Sequence, residues 1–233
     1  SILHITNFQI VNGCQTSNVL FKNRDNLNDV MVNIKVVETQ LEDVFSELVR
    51  ATNSQTKIEN NQFISLRPIV RKIEQYFNTY DGLENRLYLE RRERQYVGQD
   101  IPNTRIFSLH NATKCVASML CHRPDLASRY TKAMYEELTD IIFADDTKEI
   151  LFYAACLTMY RFTLLVSNST IQQNLKRFKW HILPVVWSII NNKSIPKLNS
   201  RQTERQAQTL IDIIGQHGTK TNEIFYQVQD ICN

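Results

Sequence analysis

Glycine and proline are scarce in this chain of 233 residues, at five each. That excludes a collagen-like or linker-rich protein, and it argues against a turn-dense all-β fold. Cysteine is limited to Cys14, Cys115, Cys121, Cys156 and Cys232. The number is odd and no pair forms a CxxC, so a disulfide framework is not expected, and reduced thiols in a cytoplasmic protein are the simpler reading. Cys115, Cys121 and His122 lack finger spacing and no second ligand pair follows them, so no metal site is expected there. No run reaches the roughly 18 apolar residues that a membrane helix needs. Ile150 to Val166 comes nearest, but Arg161 interrupts it. No signal peptide opens the chain and no membrane partner is expected. The chain begins abruptly on a strand pattern, which reads as a piece of a longer protein. The familiar catalytic sets, G-x-S-x-G, H-E-x-x-H and the kinase signature, are all missing. The formal charge is only +3. Such an excess does not by itself imply nucleic acid, so local clustering must carry any such reading.

What is present is enough apolar material, 42% of residues, for a sizeable core. The expected fold class is α+β: a small mixed sheet with helices, followed by an all-helical bundle. The expected boundary separates residues 1–109 from residues 110–233. In the first part, Ile2 to Val11 reads as a strand and Gln15 to Asn23 as a helix. Asp29 to Glu38 alternates most clearly, with Val30, Val32, Ile34 and Val36 on one face. Thr39-Gln40-Leu41-Glu42 has the form of a capping box opening the next helix. A further helix spans Gln62 to Thr79, with Pro68 in its first turn or at a kink. Short strands are expected at Leu87–Leu89 and Thr104–Phe107. Ser108 is placed to cap a helix through Leu120. Later helices are expected at Tyr130–Phe143, Thr147–Val166, Ile171–Ile190, Arg201–Gln216 and Thr221–Cys232.

Three polar segments carry the candidate chemistry. Asn12-Gly13-Cys14-Gln15-Thr16-Ser17 lies between a strand and a helix. Helix N-termini leave backbone N–H groups pointing outward, a ready anion site. A polar turn that merely caps a helix fits equally, and the spacing and lysine of a P-loop are absent. Ala51-Thr52-Asn53-Ser54-Gln55-Thr56-Lys57-Ile58 offers the amides of Asn53 and Gln55, which suit a base or ribose. It also reads as a helix end dissolving into a solvated loop. Leu89-Glu90-Arg91-Arg92-Glu93-Arg94-Gln95-Tyr96 offers arginines to phosphate and Tyr96 to a base. Its alternating charges equally describe a salt-bridged surface.

Together and in this order, the three segments resemble the AIPR (abortive infection phage resistance) family. Phe8 to Thr16 resembles its "qIVNGxQT" block, Ala51 to Ile58 its "ATNxQxxI" block, and Tyr88 to Arg92 with Tyr96 its "yyErkr…y" block. The resemblance implies a role in bacterial anti-phage defence. It covers about the first hundred residues, and the family's usual upstream "NNGI" strand region is not in this sequence. A more distant likeness links the chain to DGQHR-type and ParB-like proteins, with Thr16-Ser17 standing where the former carry His-Arg.

Three functions are weighed. The first is a site for a nucleotide or nucleic acid formed by Asn12, Gly13, Gln15, Thr16, Asn53, Gln55, Arg91 and Arg94. The second is a nuclease or nucleotide hydrolase using Glu90 and Glu93 with magnesium as the implied cofactor. The third is an interaction scaffold or homo-oligomer anchored by Phe178, Trp180 and Trp187.

Overall fold

The computed structural model describes residues 6, 8–10, 13–27, 30–38, 64–194, 197–216 and 218–232. The chain divides into two compact units, Ser1–Glu59 and Asn60–Asn233. In the first unit, helix α1 (Cys14–Lys22) starts directly after Gly13, whose φ of 88° is a left-handed conformation that glycine adopts without strain. A 3-10 turn, Arg24–Asn26, follows. Residues 30–38 are not a strand, contrary to their alternation. Both faces stand open, with Ile34 80% and Met31 98% exposed, so no apolar layer among the described residues rewards the pattern. The strand expected at Ile2–Val11, the capping box at Thr39–Glu42 and the Asn53/Gln55 segment lie wholly or largely outside the described residues.

The second unit is helix-rich α+β, and its core runs without a break from Ile64 to Val228. Helix α2 (Pro68–Phe77) begins with Pro68 at its first position, where a missing N–H costs nothing. Its residues Ile69, Val70, Ile73 and Phe77 form the buried stripe that the spacing predicts. Strands β1 (Tyr88–Glu90) and β2 (Ile106–Ser108) pair in parallel, with Glu90 opposite Ser108. Among the described residues they are the only sheet. Ser108 ends β2 and at once caps α3 (Leu109–Met119), its Oγ accepting from the Asn111 N–H at 3.2 Å. Then come α4 (Pro124–Ser128), α5 (Thr131–Ile142), α6 (Ile150–Ser167), α7 (Lys179–Ile190), α8 (Arg201–Ile214) and α9 (Thr219–Cys232). The expected helix Ile171–Ile190 is instead a 3-10 stretch, Gln173–Phe178, leading into α7.

Helix α6 is the centre, touching α2, α3, α7 and α8. It is long and apolar enough to cross a bilayer, but 78% of it is buried inside the fold. Arg161 on this helix is buried too. Its Nε donates to Ile214 O at 3.1 Å, and its Nη2 reaches Gly215 O at 3.1 Å and Asn85 Oδ1 at 2.7 Å. The guanidinium thus serves the last carbonyls of α8, where the helix dipole favours a cation. Gly215 permits that approach, since a Cβ there would stand 2.6 Å from Ile211 O and 3.1 Å from Asn85 Nδ2.

Beside it, Tyr80 and Tyr153 stack at 3.7 Å, and Tyr153 donates to Asn85 O at 2.5 Å. The Tyr76 and Tyr80 hydroxyls lie 3.2 Å apart. Burial pushes the phenols of Tyr76, Tyr80 and Tyr153 above their ordinary value of 10.0. It also pushes the Cys121 thiol up to about 12, and it raises Cys156, which neighbours Cys115 in the core. Cys115, Cys121, Cys156 and Cys232 are free thiols.

Pro184 lies inside α7. Having no N–H, it cannot donate to the carbonyl four residues back, that of Trp180. Ser118 Oγ of α3 donates to that oxygen instead. The two substitutions should therefore be coupled. Ser118→Ala is expected to cost about 1–2 kcal/mol by leaving a carbonyl unmet. In a Pro184→Ala background the helix can close its own bond, and the cost should shrink to a few tenths; urea unfolding of the double-mutant cycle measures this.

The buried thiols and phenols also set a pH dependence. The unfolded chain ionises them first, so it binds fewer protons than the folded state and stability falls as pH rises. Unfolding free energy should be insensitive to these groups below pH 9 and decline above it, the ordinary thiol and phenol values being 9.0 and 10.0. Phenolate absorbance from the buried tyrosines should appear together with unfolding.

Candidate functional site

The carboxyl ends of two parallel strands and the amino end of α3 meet at one place, and a cavity of about 480 Å³ opens there. Open α/β sheets use this crevice for ligands. The volume lies within the usual range for small-molecule sites. Glu90 closes β1, Ser108 closes β2, and Asn111 stands in the first turn of α3; all three line the cavity. Tyr96, Val97, Gly98, Gln99, Ile101 and Asn103 form the rim. The lining therefore offers one carboxylate, three amides, a hydroxyl and a phenol. Burial raises the Tyr96 phenol, and the neighbouring Glu74 charge adds to this, so it stays a neutral hydrogen-bonding group at physiological pH.

The rim is fastened from behind. Arg91 Nε pairs with Glu74 Oε2 of α2 at 2.8 Å, and both side chains are largely buried, at 10% and 17% exposure. Gln95 Nε2 donates to Glu74 Oε1 at 2.6 Å, while Gln95 Oε1 accepts from the backbone N–H groups of Arg91 and Arg92, each at 3.1 Å. Tyr96 donates to Leu89 O at 3.3 Å and packs edge-on against Tyr88. Arg94 and Gly98 both take positive φ, 63° and 84°, which folds the segment back over the strand ends.

The sequence-predicted residues divide accordingly. Asn12, Asn53 and Gln55 lie outside the described residues. In the first unit, Gly13 precedes α1 and Gln15 and Thr16 lie in its first turn, with Thr16 exposed. Gly13 supplies no side-chain cap, and no acidic residue stands in that turn. In the second unit, Arg91 is engaged by Glu74 and positions the rim, whereas Arg94 is exposed. Glu90 faces the cavity; Glu93 is exposed and does not line it. No group of three or more His, Cys, Asp or Glu that could hold a metal occurs among the described residues. Sequence reasoning missed Glu74, Gln99, Asn103 and Asn111. The one available signal was Ser108, whose capping role marks where the polar strand end becomes a helix.

The two glutamates should separate by function. Glu74→Ala strands the Arg91 guanidinium without its carboxylate and is expected to cost about 3 kcal/mol in urea unfolding. Glu90→Ala is expected to fall within about 0.5 kcal/mol of the parent, because that carboxylate faces an open cavity. A large loss from Glu90→Ala would assign it a structural role instead.

Comparison with known proteins places this geometry in a family. Residues 1–230 match the family described as AIPR protein. No match was found among the curated proteins or among the solved structures. The three ordered blocks and the rest of the chain fall within one family match, so the chain belongs to the AIPR family, associated with phage resistance of the abortive-infection type.

Proposed function

We propose that this AIPR-family protein acts in the bacterial cytoplasm by binding a nucleotide, free or at the end of a nucleic acid. The observation that carries this reading is the polar cavity at the ends of β1 and β2. The helix dipole at the amino end of α3 favours a phosphate, the Asn111 N–H there being already taken by Ser108 Oγ. The Gln99, Asn103 and Asn111 amides match the mixed donors and acceptors of a base edge or sugar. Glu90 suits a ribose hydroxyl as acceptor, a role that would discriminate ribose from deoxyribose. Tyr96 offers both a ring and a phenol. Arg94, exposed beside the rim, is the cation assigned to charge neutralisation, and Arg91 the one that holds the rim in place. The first block, Asn12, Gly13, Gln15 and Thr16, is assigned to phosphate through the uncapped start of α1. Asn53 and Gln55 are assigned to base or sugar.

Binding is favoured over metal-dependent hydrolysis because Glu90 is the sole carboxylate in the described lining. Magnesium-dependent hydrolysis would want carboxylates converging on one point. The scaffold reading loses one of its three anchors, since Trp187 is fully buried and donates to Ser194 O at 3.0 Å.

A thermal-shift panel of nucleotides and short oligonucleotides, with and without magnesium, tests the proposal. A ligand present at a hundred times its dissociation constant should add roughly 2.7 kcal/mol to stability. Asn111→Ala and Gln99→Ala, both at exposed positions, should weaken that ligand by roughly tenfold at unchanged melting temperature, a loss of about 1.4 kcal/mol each. Gln15→Ala with Asn53→Ala tests the first unit by itself: lost nucleotide stabilisation would support its assignment, and retained binding would remove it. No stabilisation by any nucleotide would sink the reading.

A further inference from the structure

From Ile150 to Thr203 the chain contains no aspartate or glutamate, but it carries Arg161, Lys176, Arg177, Lys179, Lys193, Lys197 and Arg201. In a chain whose whole excess is only +3, this is a concentrated asymmetry. Three of these cations gather with three aromatic rings where the 3-10 stretch Gln173–Phe178 meets α7, in the run Lys176-Arg177-Phe178-Lys179-Trp180-His181. Lys114 of α3 joins them from the neighbouring helix, its ammonium 5.4 Å from the Trp180 ring. Lys179 stands 5.0 Å from the same ring, and Arg177 lies 4.7 Å over Phe178. His181 meets Phe178 edge-on. Lys176, Arg177, Phe178, Lys179 and His181 are all exposed.

Two features make this more than a solvated charge run. First, none of Lys114, Lys176, Arg177 and Lys179 forms an ion pair with a described residue, unlike Arg67, Arg91 and Arg123 elsewhere in the unit. Second, Lys179 opens α7, where the helix dipole disfavours a cation, and no acid in the first turn offsets this. Burial lowers the Lys114 ammonium from its ordinary value, and the neighbouring Lys179 charge adds a smaller repulsion. An arriving polyanion relieves it. The platform is also fixed in place, because Ser118 holds the Trp180 carbonyl that Pro184 leaves unmet.

We propose that Lys114, Lys176, Arg177 and Lys179, with the rings of Phe178 and Trp180, form a binding surface for single-stranded nucleic acid. Lysines and arginine take the phosphates, and the exposed Phe178 ring stacks an unpaired base, with the half-buried Trp180 ring anchored against the core beside it. A duplex would satisfy the cations but leave the rings without partners, since its bases are already stacked. None of these residues lines the cavity at the strand ends, so the surface stands apart from that site. Lys114 nevertheless lies three residues beyond Asn111 on α3, which puts the two on one side of the helix.

The test is fluorescence anisotropy of the full chain with labelled oligo(dT) and oligo(U) of about 20 nucleotides, longer than a typical single-strand site. A duplex of equal length and phosphatidylcholine vesicles with and without phosphatidylserine run in parallel. Single strands should bind most tightly, quench tryptophan fluorescence, and weaken steeply with salt. Reversing Lys176→Glu, Arg177→Glu and Lys179→Glu together should reduce single-strand affinity at least tenfold and flatten the salt slope, with circular dichroism unchanged. Phe178→Ala should lower affinity by roughly 5- to 100-fold, the range of one stacked base. Lys176→Arg with Lys179→Arg should keep it. The triple reversal should leave any stabilisation by mononucleotides intact, which separates failure here from failure of the cavity reading. The proposal is overturned by no single-strand binding, by equal binding of the triple variant, by tighter binding of duplex, or by capture on phosphatidylserine vesicles without oligonucleotide binding.

Discussion

The second unit depends on a guanidinium in its interior. Arg161 interrupts the longest helix among the described residues, and a buried charge is expensive unless its donors are met. Here they are met largely by backbone: the end of α8 at Ile214 and Gly215, and the turn at Glu84 and Asn85. Burial lowers the guanidinium from its ordinary value, but an arginine remains charged far above neutral pH. One side chain thereby fixes three elements: the central helix α6, the terminus of α8 and the turn that leads into β1. Tyr153, from the same helix, takes the Asn85 carbonyl and so fastens that turn a second time. The strand that ends at Glu90 starts from this clamp. The cavity inherits its position from it.

Much of this was legible in the sequence, and what was not has specific causes. Pro68, Ser108 and the apolar stripe of α2 announced themselves through local chemistry, because caps and periodicity are properties of neighbouring residues. The 3-10 stretch before α7 was hidden, since both helix types accept the same spacing of apolar residues over so short a run. The five residues of α4 are too few to display a period. Residues 30–38 show the opposite failure, a clean alternation with no layer to bury it. At the site, the third block was visible as a polar segment, but its arginines looked alike. Only the fold distinguishes Arg91, committed to Glu74, from Arg94, left at the surface. Glu74 itself lies on a helix whose stripe spoke only of packing. The same holds for Arg161: in sequence it merely interrupts an apolar run, and in structure it organises the core.

The two polar surfaces of the second unit differ in kind. The cavity at the strand ends is concave, lined by amides, and carries one negative charge. The Lys176–His181 surface is cationic and aromatic: all but the half-buried Trp180 are exposed, with no acid among them. The first suits a small, mixed donor–acceptor ligand, the second an extended polyanion. Helix α3 contributes to each, through Asn111 and Lys114.

Ser108 has a consequence beyond capping. It is at once the last paired residue of β2, opposite Glu90, and the residue that caps α3. No connecting residue separates sheet from helix, so this junction has no slack. An inserted residue there would shift the register of β2 or rotate α3 by about 100°, and either would scatter Glu90, Ser108 and Asn111. The rim from Arg91 to Asn103 is different: it runs between two fixed ends and can change length at little cost. Changes of length are therefore channelled into the rim, while the floor admits substitutions only.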